Sequence, residues 1–214
     1  MQQSAKHSRE LTCFALRRIR SILLCRYQSC ADMERFVRFD GFEFSPKLIQ
    51  ARWTFGRLPS EEAPLLAQTA LELGYDGKFT RRLAGEMNPT FYDLQPLMPG
   101  FLAELGIQES ISKEEAAHVL ARFIAQAIVD GRVKPYVGAS YIWREIVRDL
   151  YPNAPKELMP YVGNASDYED CHYFVGCGSP NDIRREIEDG IIQYSRELLA
   201  TDSSEATESS LPER

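Results

Sequence analysis

The chain has 214 residues, 44% hydrophobic and 26% charged, with a formal net charge of −6. Such a balance excludes wholesale disorder, and no run of roughly 18 apolar residues exists to form a membrane-spanning helix. An acidic body is the opposite of what a general nucleic-acid binder needs, since displacing counterions takes basic surface. Neither a nucleic-acid partner nor a membrane is expected.

The charge is uneven. Residues 1–32 carry Lys6, Arg9, Arg17, Arg18, Arg20 and Arg26 against Glu10 and Asp32, a net +4, which leaves −10 for the remainder. The basic stretch is expected to be a poorly ordered extension to a domain that begins at Met33, and its deletion is expected to leave stability unchanged. Its Arg-rich, acid-poor composition also fits a targeting peptide, but only composition supports that reading. The stretch, with Tyr27, could touch nucleic acid or anionic lipid, but its six cations are not regularly interleaved with aromatics, which makes the signal weak. The five cysteines (Cys13, Cys25, Cys30, Cys171, Cys177) are odd in number and too sparse for a secreted disulfide scaffold. Reduced thiols and a cytoplasmic location are expected.

From Met33 onward, Asp40-Gly41 between Phe39 and Phe42 is a hairpin or turn signal, because glycine tolerates the positive φ of a tight turn. Helical signals then follow almost without a break. Ser45-Pro46 opens a helix carrying Leu48, Ile49, Trp53 and Phe55. Ser60, with Glu61 and Glu62 behind it, starts a second through Leu65, Leu66, Ala70 and Leu71, closed at Gly74. Asp76 begins a third, through Phe79 and Leu83 to Gly85. Asn88-Pro89 leads into two short helical pieces divided by Pro96 and Pro99.

Ser112 and Glu115 form a capping box for the longest pattern, Ala116, Leu120, Phe123, Ile124, Ala127 and Ile128, which Gly131 stops. A helix from Pro135 places Ala139, Ile142, Trp143, Ile146 and Leu150 on one face. Pro-rich connecting chain follows, then an acidic solvated turn at Asp167-Tyr168-Glu169-Asp170. Ser179-Pro180 opens the last helix, with the stripe Ile183, Ile187, Ile191, Tyr194 and Leu198. Residues 201–214, polar and without apolar periodicity, are expected to be a disordered acidic tail. Short connections between consecutive helices predict an all-α array of about seven antiparallel or orthogonal helices spanning residues 33–200.

No motif of known chemistry emerges. Asp167, Glu169, Asp170, Cys171, His172 and Cys177 are metal-ligating residue types, but lack the paired short spacings of a zinc site. Cys171 beside His172 is a poor nucleophile candidate, because the neighbouring carboxylates raise a thiol's pKa. The acids cluster in one segment, without the second flanking carboxylate of a glycosidase. No glycine-rich phosphate loop is present. No catalytic residue, metal or cofactor is therefore assigned.

Two segments carry a resemblance. Pro135-Tyr-Val-Gly-Ala-Ser-Tyr-Ile-Trp143 and Ala165-Ser-Asp-Tyr-Glu-Asp170, with Leu71-Glu-Leu-Gly-Tyr-Asp76 and Arg82-Leu-Ala-Gly85 upstream, resemble a group of small bacterial proteins of unassigned function. The resemblance spans approximately residues 45–200 and implies neither activity nor catalytic residues. In size and charge such proteins are similar to the immunity proteins that neutralise bacterial toxins.

The reading that follows is a non-enzymatic protein-binding module, immunity- or antitoxin-like, whose partner presents basic surface. Asp167, Tyr168, Glu169 and Asp170 are its candidate partner-binding residues. The acids there are either partner-facing or local caps, and loop Ser and Asp residues habitually bond local backbone. The alternative is an enzyme whose site is assembled from dispersed residues such as Glu86, His118, Asp130 and Glu169.

Overall fold

A computed structural model describes residues 44–171 and 179–208, with side-chain environments given through Thr201. The expected hairpin at Asp40-Gly41, the basic segment 1–32, and His172 and Cys177 lie outside the described residues. Within them the fold is all-α, and no residue is in a strand.

Helix α1 (Pro46–Thr54) starts at extended Ser45 with proline in its first turn, where a missing amide costs nothing. It divides the interior in two. Leu48, Ala51 and Phe55 enter one cluster of buried side chains and Ile49 enters the other. The second cluster is built by α2 (Ala63–Glu72), α3 (Lys78–Ala84), α4 (Phe91–Leu94) and α5 (Met98–Glu104), around fully buried Leu83, Leu94, Met98 and Phe101. A 3-10 turn, Ser60–Glu62, precedes α2 and carries Glu62 inward to Arg52 of α1 at 2.6 Å. At α3 the cap comes from another helix. The Glu104 carboxylate accepts the Phe79 and Thr80 amides at 3.0 and 2.8 Å, and a Cβ on Gly77 would lie 2.0 Å from Glu104 Cδ. Glycine at the N-cap thus makes room for a cap supplied in trans.

The other cluster surrounds α6 (Lys113–Val129), which begins with the anticipated capping box. The Ser112 hydroxyl accepts the Glu115 amide at 3.1 Å, and the Glu115 carboxylate accepts the Ser112 amide at 2.7 Å. Next comes α7 (Pro135–Tyr141), which runs through a π-helical turn (Ile142–Val147) into α8 (Arg148–Leu150). The widened turn keeps Ile142 and Ile146 fully buried while turning Arg144 toward Glu169 and Glu145 toward Arg57, 3.0 Å away. After a 3-10 turn, α9 (Met159–Asp170) and α10 (Pro180–Glu208) complete the layer over α6 and α7. Arg122 of α6 donates to the Leu198 and Leu199 carbonyls at 2.7 and 3.1 Å, securing the far end of α10.

Several expectations are corrected. The segment 159–170, read as connecting chain and an acidic turn, is helix. Its Gly163, Asn164 and Ser166 are poor helix formers, but burial of Tyr161 and Ala165 overrides propensity. The last helix continues past residue 201 to Glu208, since propagating a formed helix is far easier than nucleating one. Leu65 and Tyr194, expected on core stripes, are 44% and 40% exposed. Ser195 takes the inward position that Tyr194 was expected to fill, bonded to the buried Tyr161 hydroxyl.

Candidate functional site

Residues 135–143 and 165–170 meet in space. Tyr136, in the first turn of α7, stacks on Tyr168 near the end of α9, with ring centroids 4.1 Å apart and planes 13° from parallel. The Tyr136 hydroxyl donates to Glu169 Oε1 at 2.8 Å, and Arg144 of the π-helical turn pairs with the same oxygen. Arg184 of α10 lies over the Tyr168 ring, 5.4 Å from its centroid, and its buried Nε makes no hydrogen bond to a described residue. Gly138 gives this junction its close seat on α6, since a Cβ there would fall 2.6 Å from Ile128 Cδ1.

Electrostatics follow from the packing. Burial, reinforced by the bond to the Glu169 carboxylate, pushes the Tyr136 phenol up to about 12, so it remains a hydrogen-bond donor. Burial raises the Glu188 carboxyl of α10 above its ordinary value, against the opposing pull of Lys134 and Arg184.

Helices α9 and α10 are antiparallel in a fixed register. Tyr161 bonds Ser195 at 3.1 Å, Asn164 faces Gly190, and Tyr168 faces Arg184. This register sets Asp167 and Asp170 of α9 beside the first turns of α10, which carry Asp182, Glu186 and Asp189. Of the four candidate residues, the fold therefore splits the set. Tyr168 and Glu169 are half-buried and held by Tyr136, Arg144 and Arg184. Asp167 and Asp170 are exposed. Asp182, Glu186 and Asp189, which were not among the candidates, are exposed on the facing turns of α10. Their spacing of four and then three residues puts them on one helical stripe, a signal that was present in the sequence. None of these five carboxylates is in an ion pair with a described residue.

The dispersed catalytic set does not assemble. His118 and Asp130 are twelve residues apart along and just beyond α6, about 18 Å at helical rise. Asp130 instead pairs with Arg132 at 2.9 Å, Glu86 approaches Arg82 at 4.0 Å, and Glu169 is bonded as above. Among the described residues no three His, Cys, Asp or Glu side chains converge as metal ligands, and Cys171 is buried and unbridged. No described helix is long and apolar enough to cross a membrane. No protein-family model, curated protein or solved structure matches the chain.

Proposed function

We propose that this is a protein-binding module that engages a basic partner through the acidic end of the α9–α10 pair. The observation that carries the reading is the set of exposed carboxylates Asp167, Asp170, Asp182, Glu186 and Asp189, brought to one end by the register of the two helices. Carboxylates in no ion pair with a described residue keep more of their field for an incoming charge than paired ones do. Beneath them, the Tyr136–Tyr168–Arg144–Glu169 junction holds the two helices in place, so the acidic face is presented by a rigid base. Across the described residues, 25 Asp and Glu oppose 16 Lys and Arg, a net −9, which gives the same sign of long-range steering. An immunity- or antitoxin-like role, in a bacterial cytoplasm, is the biological setting in which a small acidic binder of a basic protein belongs.

Affinity capture from native lysate at low salt, repeated with the D167N/D170N/D182N/E186Q variant, tests the reading. Retention of a basic protein by the wild type and its loss from the variant and at high salt are expected. Equal capture by both proteins, or none by either, would refute it.

A further inference from the structure

The π-helical turn Ile142–Val147 is a rare geometry, frequently met at functional sites. The two charged side chains at its middle are both tied to other elements. Arg144 pairs with Glu169 of α9, and Glu145 pairs with Arg57, in the connection from α1 to α2. Arg57 holds the turn at three points. Its Nη1 lies 3.0 Å from Glu145 Oε2, and its Nη2 donates to the Glu145 carbonyl at 3.0 Å and to Asp149 Oδ2 at 2.6 Å. The backbone of Arg57 is itself fixed by the end of α1. The Gly56 amide donates to the Trp53 carbonyl and the Arg57 amide to the Arg52 carbonyl, at 3.0 and 2.8 Å, around a Gly56 φ of 71°. This is a helix closure that needs the left-handed conformation glycine accommodates. Arg52, which supplies that carbonyl, is anchored in turn by its buried pair with Glu62. A planar guanidinium on a fixed stem can hold two carboxylates and a carbonyl at once, which a single ammonium does not reproduce.

We infer that Arg57 is a positioning residue for the end of α9: it clamps the π-helical turn from outside, and the clamped turn keeps Arg144 on Glu169, beside the Tyr136–Tyr168 stack. The α1–α2 connection, whose Leu58 packs in the other core cluster, thereby governs how firmly the acidic face is held. The two halves of the interior are coupled at this point, and a change in one is felt at the surface of the other. That the held face binds a partner rests on the function proposed above. The clamp itself does not.

A double-mutant cycle on the full chain tests the clamp without any partner, by urea unfolding of wild type, R57Q, Y136F and R57Q/Y136F. The Tyr136 hydroxyl is uncharged at neutral pH, so removing it brings no through-space charge effect into the cycle. Independent sites multiply their effects, and a residue that merely stabilised the fold would do the same. With the clamp gone, Glu169 is held less firmly and the Tyr136 bond to it contributes less. The factor by which Y136F lowers the folding equilibrium constant should therefore shrink about threefold or more in the R57Q background. R57Q with E104A, whose carboxylate caps α3, should multiply to within about twofold. If R57Q does not fold, R57K, which keeps the charge but not the fork, enters the same cycle with the same threshold. A Y136F factor that shrinks by less than about threefold, or an E104A cycle that departs from independence as much as the Y136F cycle does, would overturn the inference. Failure of the cycle leaves the capture experiment above untouched, and failure of capture leaves the cycle readable.

Discussion

Tyr136 and Tyr168, thirty-two residues apart in the chain, lie face to face at 4.1 Å and join the start of α7 to the end of α9. The stack is backed by one carboxylate, Glu169, which accepts the Tyr136 hydroxyl and pairs with Arg144. Removing only the hydroxyl, in Y136F, should cost about 1.5–3 kcal/mol, the range for a bond to a charged acceptor. E169A should cost more, because it strips the partner from both the phenol and Arg144. Urea unfolding at neutral pH checks the order.

The same phenol predicts an alkaline signature. Its folded-state pKa, near 12, is above the ordinary value of 10, so the unfolded chain loses this proton first. Its contribution is complete below about pH 10 and is lost as pH rises toward 12. The stability difference between wild type and Y136F should therefore narrow across that window. A difference constant with pH would contradict the placement of the hydroxyl.

Arg52 and Glu62 form a buried ion pair at 2.6 Å, with side chains only 3% and 6% exposed. Breaking it from one side leaves a buried charge behind, so E62A should cost about 3–5 kcal/mol. Replacing both partners with apolar residues, as in R52M/E62L, should cost less than the single change. Thermal melts of the single and double variants decide this.

Much of this fold was legible in the sequence, where local chemistry and burial agree. The Ser112–Glu115 box, the proline entries of α1 and α7 and the seryl entry of α10 were all readable because caps act within one turn. What escaped depends on distant chain. Helix α9 holds together through Tyr161 and Ala165 packed against α10, not through propensity. The π-helical turn has no local signature, and its role appears only once Glu169 and Arg57 are beside it. Of the proposed acidic surface, the sequence singles out Asp167 and Asp170, whereas the α10 carboxylates are brought near them by tertiary register. Glu169 stands out in the sequence by its charge, which Arg144 neutralises in the fold.

Glu104 offers an acid-side prediction. Burial pushes its carboxyl up, but the Phe79, Thr80 and Lys78 amides and the Thr80 hydroxyl outweigh that and hold it below its ordinary value. Its contribution is therefore complete above the unfolded-chain value near 4.5 and is lost as pH falls through the lower folded value. E104A should lose about 1 kcal/mol at neutral pH, as for a missing helix cap. The gap from wild type should close on acidification. Unfolding curves from pH 7 down to pH 3 measure both effects.

Close approach at Gly138 sets a packing limit. Valine there would meet Ile128 and Ile124, and overpacking of this kind costs about 1–3 kcal/mol. G138A should cost less, since the tip of Ile128 can rotate away. Comparison of the two melting temperatures tests whether α7 is seated on α6 as described.

The central claim is that the carboxylates at the end of α9 and α10 draw in a basic partner. The most direct measurement is the association rate constant for the captured partner as a function of salt, for wild type and for D167N/D170N/D182N/E186Q. Electrostatic steering predicts a wild-type rate that falls about tenfold or more as the Debye length shrinks, and a variant rate that is slower and nearly flat. A wild-type rate insensitive to salt, or a variant that associates as fast as the wild type, would contradict the claim.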